Sequence, residues 1–115
     1  MTQLEQLLAQ LQNGAQQLQL LEMQRQTLAL QSKEIDKALE ALETAEDEIY
    51  KSVGPVLVKT TKETMKKELE EGKEEAALKL KSVETQEKRL RAKMKELQEH
   101  LQTAAAEGAH AGTGG

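Results

Sequence analysis

Apolar residues recur in alternating steps of three and four along two long blocks of the chain. The first block contains Leu4, Leu7, Leu11, Gly14, Leu18, Leu21, Arg25, Leu28, Ser32, Ile35, Leu39 and Leu42. The second block contains Leu69, Lys73, Ala76, Leu80, Val83, Glu87, Leu90, Met94, Leu97 and Leu101. This spacing keeps one apolar seam on one face of a helix, so it predicts two long helices of the coiled-coil type.

The seams and their flanking residues set the predicted bounds of the helices. The first helix is expected over about residues 3–47 and the second over about residues 61–106. Thr2 with Glu5, and Thr60 with Glu63, have the spacing of a capping box at a helix start. Residues 107–115 are rich in Gly and Ala and are predicted to form a disordered tail.

A short connection between long helices favours antiparallel packing of one seam against the other. One register pairs the layers throughout, for example Leu7 with Leu101 and Gly14 with Met94; a shift by a whole heptad remains formally allowed. Tyr50 is the only aromatic residue in 115. Because aromatic side chains supply much of the area in globular cores, a two-helix unit fits this composition better than a compact globule.

The connecting segment, residues 49–60, differs from both blocks because it is dense in β-branched residues and is split by Gly-Pro. It predicts two short strands joined at that dipeptide. The residues assigned to this hairpin are Ile49, Tyr50, Val53, Gly54, Pro55, Val56, Leu57 and Val58. A lone two-stranded hairpin is marginal in water and its edges are open, so we expect it to join hairpins of other chains. The alternative is a tight turn packed against its own helix ends.

The predicted fold is therefore mainly α. Residues 1–106 form a single domain, a long antiparallel two-helix coiled coil joined by a short β-hairpin. In an oligomer, such hairpins would assemble into a shared β-barrel.

The connecting segment also resembles the central signature of prefoldin β-class subunits. Tyr50, Lys51 and Gly54 match its aromatic-Lys-x-x-Gly start, and Val58-Lys59 match its end. The continuation through residue 63 is closer to archaeal members than to eukaryotic ones. Subunits of the α class carry two hairpins, whereas this chain has room for one.

The resemblance implies a hexamer of two α and four β subunits with a double β-barrel platform. It implies an ATP-independent chaperone of the cytoplasm, without a cofactor, that captures unfolded client proteins at the coiled-coil tips. It further implies transfer of those clients to a group II chaperonin.

The candidate client-binding residues lie where the outer ends of both helices meet. They are Leu4, Leu7, Leu8, Leu11, Leu97 and Leu101. Leu8 lies off the seam beside Leu7, so the apolar stripe is wider than the helix pair needs. The alternative is an ordinary coiled-coil end, since scattered surface leucines are common.

Charge and composition argue against other classes of function. The net charge is −4, so nucleic acid is not an expected partner. No apolar run is long enough to cross a bilayer, so a membrane is not an expected partner either. There is no Cys, which excludes disulfides and thiolate metal sites. The basic run Lys88–Lys95 fits a solvated helix face, although attraction to nucleic acid, to an acidic client or to the chaperonin rim stays open. His100 and His110 are the only histidines and no metal-ligand spacing occurs, so we expect no metal site and no catalysis. The rival function is a structural coiled-coil adaptor that binds no unfolded chains.

Overall fold

A computed structural model of the chain describes residues 2–46 and 48–113, with side chains described as far as residue 107. It contains helix α1 (Gln3–Thr44), strand β1 (Ile49–Val53), strand β2 (Val56–Thr60) and helix α2 (Lys62–Thr113). The predicted mainly α fold, with two long helices and a two-stranded connection, is confirmed. Among the described residues, no helix has a stretch that is apolar and long enough to cross a membrane.

The chain forms two compact units. The terminal unit holds the chain up to Gln24 and from Val83 onward, and the hairpin unit holds Arg25–Ser82. Within each unit, a segment of α1 packs antiparallel against a segment of α2. In the terminal unit, for example, a Cβ atom placed on Gly14 would lie 3.2 Å from Met94 Cγ, which confirms that predicted layer.

Burial in both helices follows the predicted seams closely. From Leu7 to Leu42, every predicted seam position of α1 is buried or half-buried, whereas Leu4 is exposed. In α2 the prediction is wrong at one position, because Lys73 is exposed and Gly72 is half-buried in its place. The hydrogen-only side chain of Gly72 lets Ile35 approach, with its Cδ1 atom 3.6 Å from where a Cβ would lie. Lys73 instead binds Asp36, with 2.6 Å between Nζ and Oδ1.

Both helices begin with a threonine cap. At α1 the predicted capping box is confirmed: the Glu5 N–H donates to Thr2 Oγ1 over 3.2 Å, and the Thr2 N–H donates to Glu5 Oε2 over 3.4 Å. At α2 the prediction is wrong by one residue. The Thr64 N–H donates to Thr61 Oγ1 over 3.1 Å, because Thr60 is still paired with Ile49 in the sheet.

The helix ends differ from the predicted bounds. α1 ends at Thr44, before the predicted end at Asp47, which lies outside the described residues. α2 continues to Thr113, beyond the predicted end near Ala106, because the alanines in this segment favour helix. The predicted disordered tail stays a prediction for Gly114 and Gly115, which also lie outside the described residues.

The two strands form an antiparallel ladder that runs from Ile49 opposite Thr60 to Val53 opposite Val56. Gly54 and Pro55 make the turn, and Gly54 has a φ of 57°. A positive φ at the first turn residue suits the right-handed twist of a two-residue hairpin, and only glycine adopts it without strain. The sequence prediction of a hairpin split at Gly-Pro is confirmed.

Gly72 gives a direct test of helix packing in the hairpin unit. Replacing it with Ala (G72A) should raise the free energy of unfolding by about 1 kcal/mol, because Ala is the better helix former and its methyl group meets Ile35 at an ordinary contact distance. The matched variant G14A should gain less, because Met94 must move to admit the new methyl group. Urea unfolding followed by circular dichroism measures both, and an equal gain at the two sites would contradict the described packing at Gly14.

Candidate functional site

The hairpin exposes most of its apolar side chains. Leu57 is 69% exposed, the largest value among the exposed large hydrophobic residues of the described chain. About half of each of the other four side chains is exposed: Tyr50, Val53, Val56 and Val58. Ile49 differs because it is only 9% exposed and is buried at the root of the hairpin. The predicted assembly set therefore divides into one anchor and a group of exposed apolar residues.

Neither face of the hairpin is fully covered. Residues that are directly opposite in an antiparallel ladder share a face, so Tyr50 and Lys59 lie on the same face as Ser52 and Leu57. All four of these residues are exposed. On the other face, only the part nearest the helices is covered.

An ion pair ties the covered face of the hairpin to α2. Lys51 Nζ donates to Glu68 Oε2 over 2.7 Å. Ile49, Lys51 and Thr60 are the buried or half-buried strand residues, and Lys51 lies directly opposite Val58. The helix ends therefore hold the root of the hairpin and leave its turn end uncovered.

The backbone edges of the hairpin are open as well. In the described part of the chain the sheet contains only two strands, so the outer N–H and C=O groups of each strand have no ladder partner. Open edges are templates for pairing with a strand of another chain. The exposed side chains and the open edges together make the hairpin a candidate assembly surface.

The six leucines predicted to contact clients all belong to the terminal unit, but their exposure differs. Leu4 and Leu8 are 40% and 50% exposed, and their spacing of four places them on one face of α1. Leu7 is buried in the helix pair, and Leu11, Leu97 and Leu101 are half-buried. Leu4 and Leu8 are thus the members already accessible, and the remaining four belong to the seam.

A bridging arginine is the polar feature of the terminal unit that the sequence prediction missed. Arg91 Nη2 lies 3.2 Å from Glu22 Oε1 and 3.3 Å from Glu87 Oε2. Glu87 is only 2% exposed, and a buried carboxylate is costly unless it is paired. The signal was present in the sequence, because Glu87 and Arg91 are four residues apart on one helix and Glu22 follows the seam residue Leu21.

The hairpin unit has two open grooves between its helix segments. One has a volume of about 300 Å³ and is lined in part by Ile35, Gly72 and Ala76. The other has a volume of about 460 Å³, with Leu39 and Leu42 beside charged residues such as Lys66. Among the described residues, no group of three or more His, Asp or Glu side chains could hold a metal ion.

Comparison with known proteins identifies the architecture. The family model described as "Prefoldin subunit" matches residues 5–107. The chain belongs to the prefoldin subunit family. The prefoldin beta subunit of Thermococcus kodakarensis is 41% identical over 104 residues, which cover 89% of each chain. That of Methanosarcina mazei is 43% identical, also with 89% of each chain covered. The crystal structure of the prefoldin beta subunit from Thermococcus strain KS-1 matches with a TM-score of 0.81 and 40% identity, and covers 90% of this chain and 93% of that one.

These matches confirm the β-class resemblance inferred from residues 49–60. The chain is a prefoldin chaperone subunit, and its likeness to beta subunits implies assembly with other prefoldin subunits. The exposed apolar residues and open edges of the hairpin make it the candidate surface for such assembly.

Two substitutions test the division of the hairpin into an anchor and an exposed surface. I49A should lower the free energy of unfolding of the dissociated chain by about 2 kcal/mol or more, because it leaves a cavity at the hairpin root. L57A should change it by less than about 0.5 kcal/mol, because most of that side chain already faces solvent. Denaturant unfolding at high dilution measures both, and a large loss for L57A would show that Leu57 packs within its own chain.

Proposed function

We propose that this prefoldin subunit captures non-native proteins through the leucines of its terminal unit, without ATP, and passes them to a group II chaperonin. Membership of a chaperone family supports a role in binding unfolded chains. The observation that carries the site is the exposure of Leu4 and Leu8 on one face of α1. Apolar contacts of this kind are non-directional, so they tolerate many client sequences.

The half-buried leucines supply a second part of the proposed site. Leu11, Leu97 and Leu101 lie in the seam of the terminal unit, close to where the helices begin and end their packing. Local opening of a helix end costs little free energy compared with global unfolding. Opening would add these side chains, and Leu7, to the surface offered by Leu4 and Leu8.

The proposed working form is a hexamer of two α and four β prefoldin subunits, located in the cytoplasm. Exposure of Tyr50, Val53, Val56, Leu57 and Val58 supports an assembly in which the hairpins of several chains join in a shared β-barrel. Closing a barrel removes sheet edges altogether. Assembly would also place several terminal units within reach of one client, and multivalent binding of this kind strengthens weak contacts. No cofactor and no catalysis are proposed.

Replacing both exposed leucines of the terminal unit (L4Q with L8Q) should weaken suppression of client aggregation severalfold. The measurement is light scattering of a denatured model protein diluted into the assembled complex at stoichiometric amounts. The matched control is L30Q with L78Q, which removes two leucines of similar or greater exposure from the hairpin unit. The control should behave as the unsubstituted complex.

Two outcomes would count against this function. Equal suppression by the L4Q/L8Q variant and the unsubstituted complex would exclude the exposed leucines as the client site. Failure of the unsubstituted complex to suppress aggregation would instead favour a structural coiled-coil adaptor. Native mass of each variant complex confirms that assembly is unchanged.

A further inference from the structure

A run of α2 in the terminal unit carries basic side chains with no acidic residue among them. Residues 88–95 include Lys88, Arg89, Arg91, Lys93 and Lys95. Arg91 is engaged by Glu22 and Glu87. The other four, which we call the basic patch, are exposed and form no ion pair within the part of the chain that the structure describes.

The facing segment of α1 offers no charge to neutralise the basic patch. Between Glu5 and Glu22 every residue of α1 is uncharged. Glu5 accepts the Thr2 N–H in the helix cap, and Glu22 pairs with Arg91. Both carboxylates of α1 in the terminal unit are therefore in use, so α1 offers no further carboxylate to the four cations of the basic patch.

This arrangement has a cost in stability. Arg89 and Lys93 are four residues apart on the same helix, as are Arg91 and Lys95, and like charges at this spacing destabilise a helix. In the hairpin unit, by contrast, several lysines have carboxylate partners, namely Lys51 with Glu68, Lys73 with Asp36 and Lys79 with Glu75. The carboxylates that lie one helical turn from patch residues, Glu84, Glu96 and Glu99, form no ion pair with them in the described part of the chain, so the four cations stay available to a partner.

The position of the basic patch relative to the exposed leucines suggests the kind of partner. Gly14 of α1 is level with Met94, which lies between Lys93 and Lys95. Leu8 is six residues from Gly14, or about 9 Å along the helix. An extended chain advances about 3.3 Å per residue, so about three residues of a client would span this distance.

We infer that the basic patch binds acidic stretches of unfolded clients. An apolar client residue about three or four positions from the acidic stretch then contacts Leu8. This inference rests on the proposed function and adds a client preference to it. The charged contact is long-range and tolerant of geometry, so it speeds encounter and holds segments whose apolar content alone would bind weakly.

The surroundings favour an acidic protein segment over a nucleic acid. The terminal unit contains no Phe, Tyr or Trp on which bases could stack, since Tyr50 lies in the hairpin unit. Glu84, Glu96 and Glu99 flank the patch on both sides, and they would repel a polyphosphate that extends beyond it. A short acidic stretch fits between these carboxylates.

The test compares two labelled, disordered peptides of about twenty residues in binding to the assembled complex. Both contain the same leucines; one has four Glu at the intervening positions and the other has four Gln. At a salt concentration of about 0.05 M, fluorescence anisotropy should show about sixteenfold tighter binding of the Glu peptide, because four exposed charge pairs contribute a factor of roughly two each. At about 0.5 M the difference should largely vanish, because the screening length then becomes shorter than the reach of the charges.

Matched variants test whether the basic patch causes the preference for the Glu peptide. Replacing Lys88, Arg89, Lys93 and Lys95 with Gln should abolish the preference for the Glu peptide and leave binding of the Gln peptide unchanged. The control replaces four exposed lysines of the hairpin unit, Lys33, Lys37, Lys66 and Lys67, with Gln. It changes the net charge by the same amount and should keep the preference. A second variant with Glu at all four patch positions should prefer a Lys peptide.

Different results would contradict the inference about acidic clients and the proposed function. Equal binding of the Glu and Gln peptides to the unsubstituted complex would refute the inference and leave the proposed function standing. Loss of the preference in the hairpin-unit control would assign it to net charge alone. Tighter, patch-dependent binding of a single-stranded oligonucleotide would assign the patch to nucleic acid. Failure of both peptides to bind would refute the proposed function as well.

Discussion

A two-stranded hairpin cannot bury both its faces or pair both its edges, and this constraint shapes the rest of the molecule. The helix ends hold only the root of the hairpin, through buried Ile49 and the pair between Lys51 and Glu68. Beyond the root, the strands present apolar side chains on both faces. Such a surface is a candidate for pairing with another subunit, and membership of the prefoldin family implies assembly with other prefoldin subunits.

The helix pair is limited in how much surface it can bury. Two helices packed against each other bury only one stripe of side chains on each helix. Most seam residues are half-buried, and few are fully buried: Leu7, Gly14, Ala76, Val83 and Glu87 among the helical residues described. Each layer therefore contributes modestly, and stability grows with the number of layers. The remaining helix surface is free for other contacts. The exposed leucines and the basic patch of the terminal unit occupy this free surface.

The periodic part of the structure could be predicted from the sequence because one repeating rule fixes it. Steps of three and four predicted nearly every seam position, and the β-branched segment around Gly54-Pro55 predicted the hairpin and its turn. The failures are local. Gly72 lies in the seam in place of Lys73, next to Ile35, and periodicity alone does not reveal this exchange. The cap lies at Thr61 because strand pairing extends through Thr60.

The candidate sites were harder to predict than the fold. The sequence placed six leucines in one cluster, but their separation into exposed and seam residues depends on how the two helices face each other. Likewise, Ile49 and Leu57 look equivalent in the sequence, and only the sheet register and the position of the helix ends make one an anchor and the other solvent-exposed. The bridge from Arg91 to Glu22 joins residues far apart in the chain, so it needed the helix register as well as the charge pattern.

We propose that the hairpin is an assembly element whose exposed surface and open edges the chain cannot cover alone. Native mass measurement, with and without a prefoldin subunit of the α class, tests it most directly. We expect an oligomer with the mass of two α and four β chains in the presence of the α subunit. A stable monomer under both conditions would contradict it.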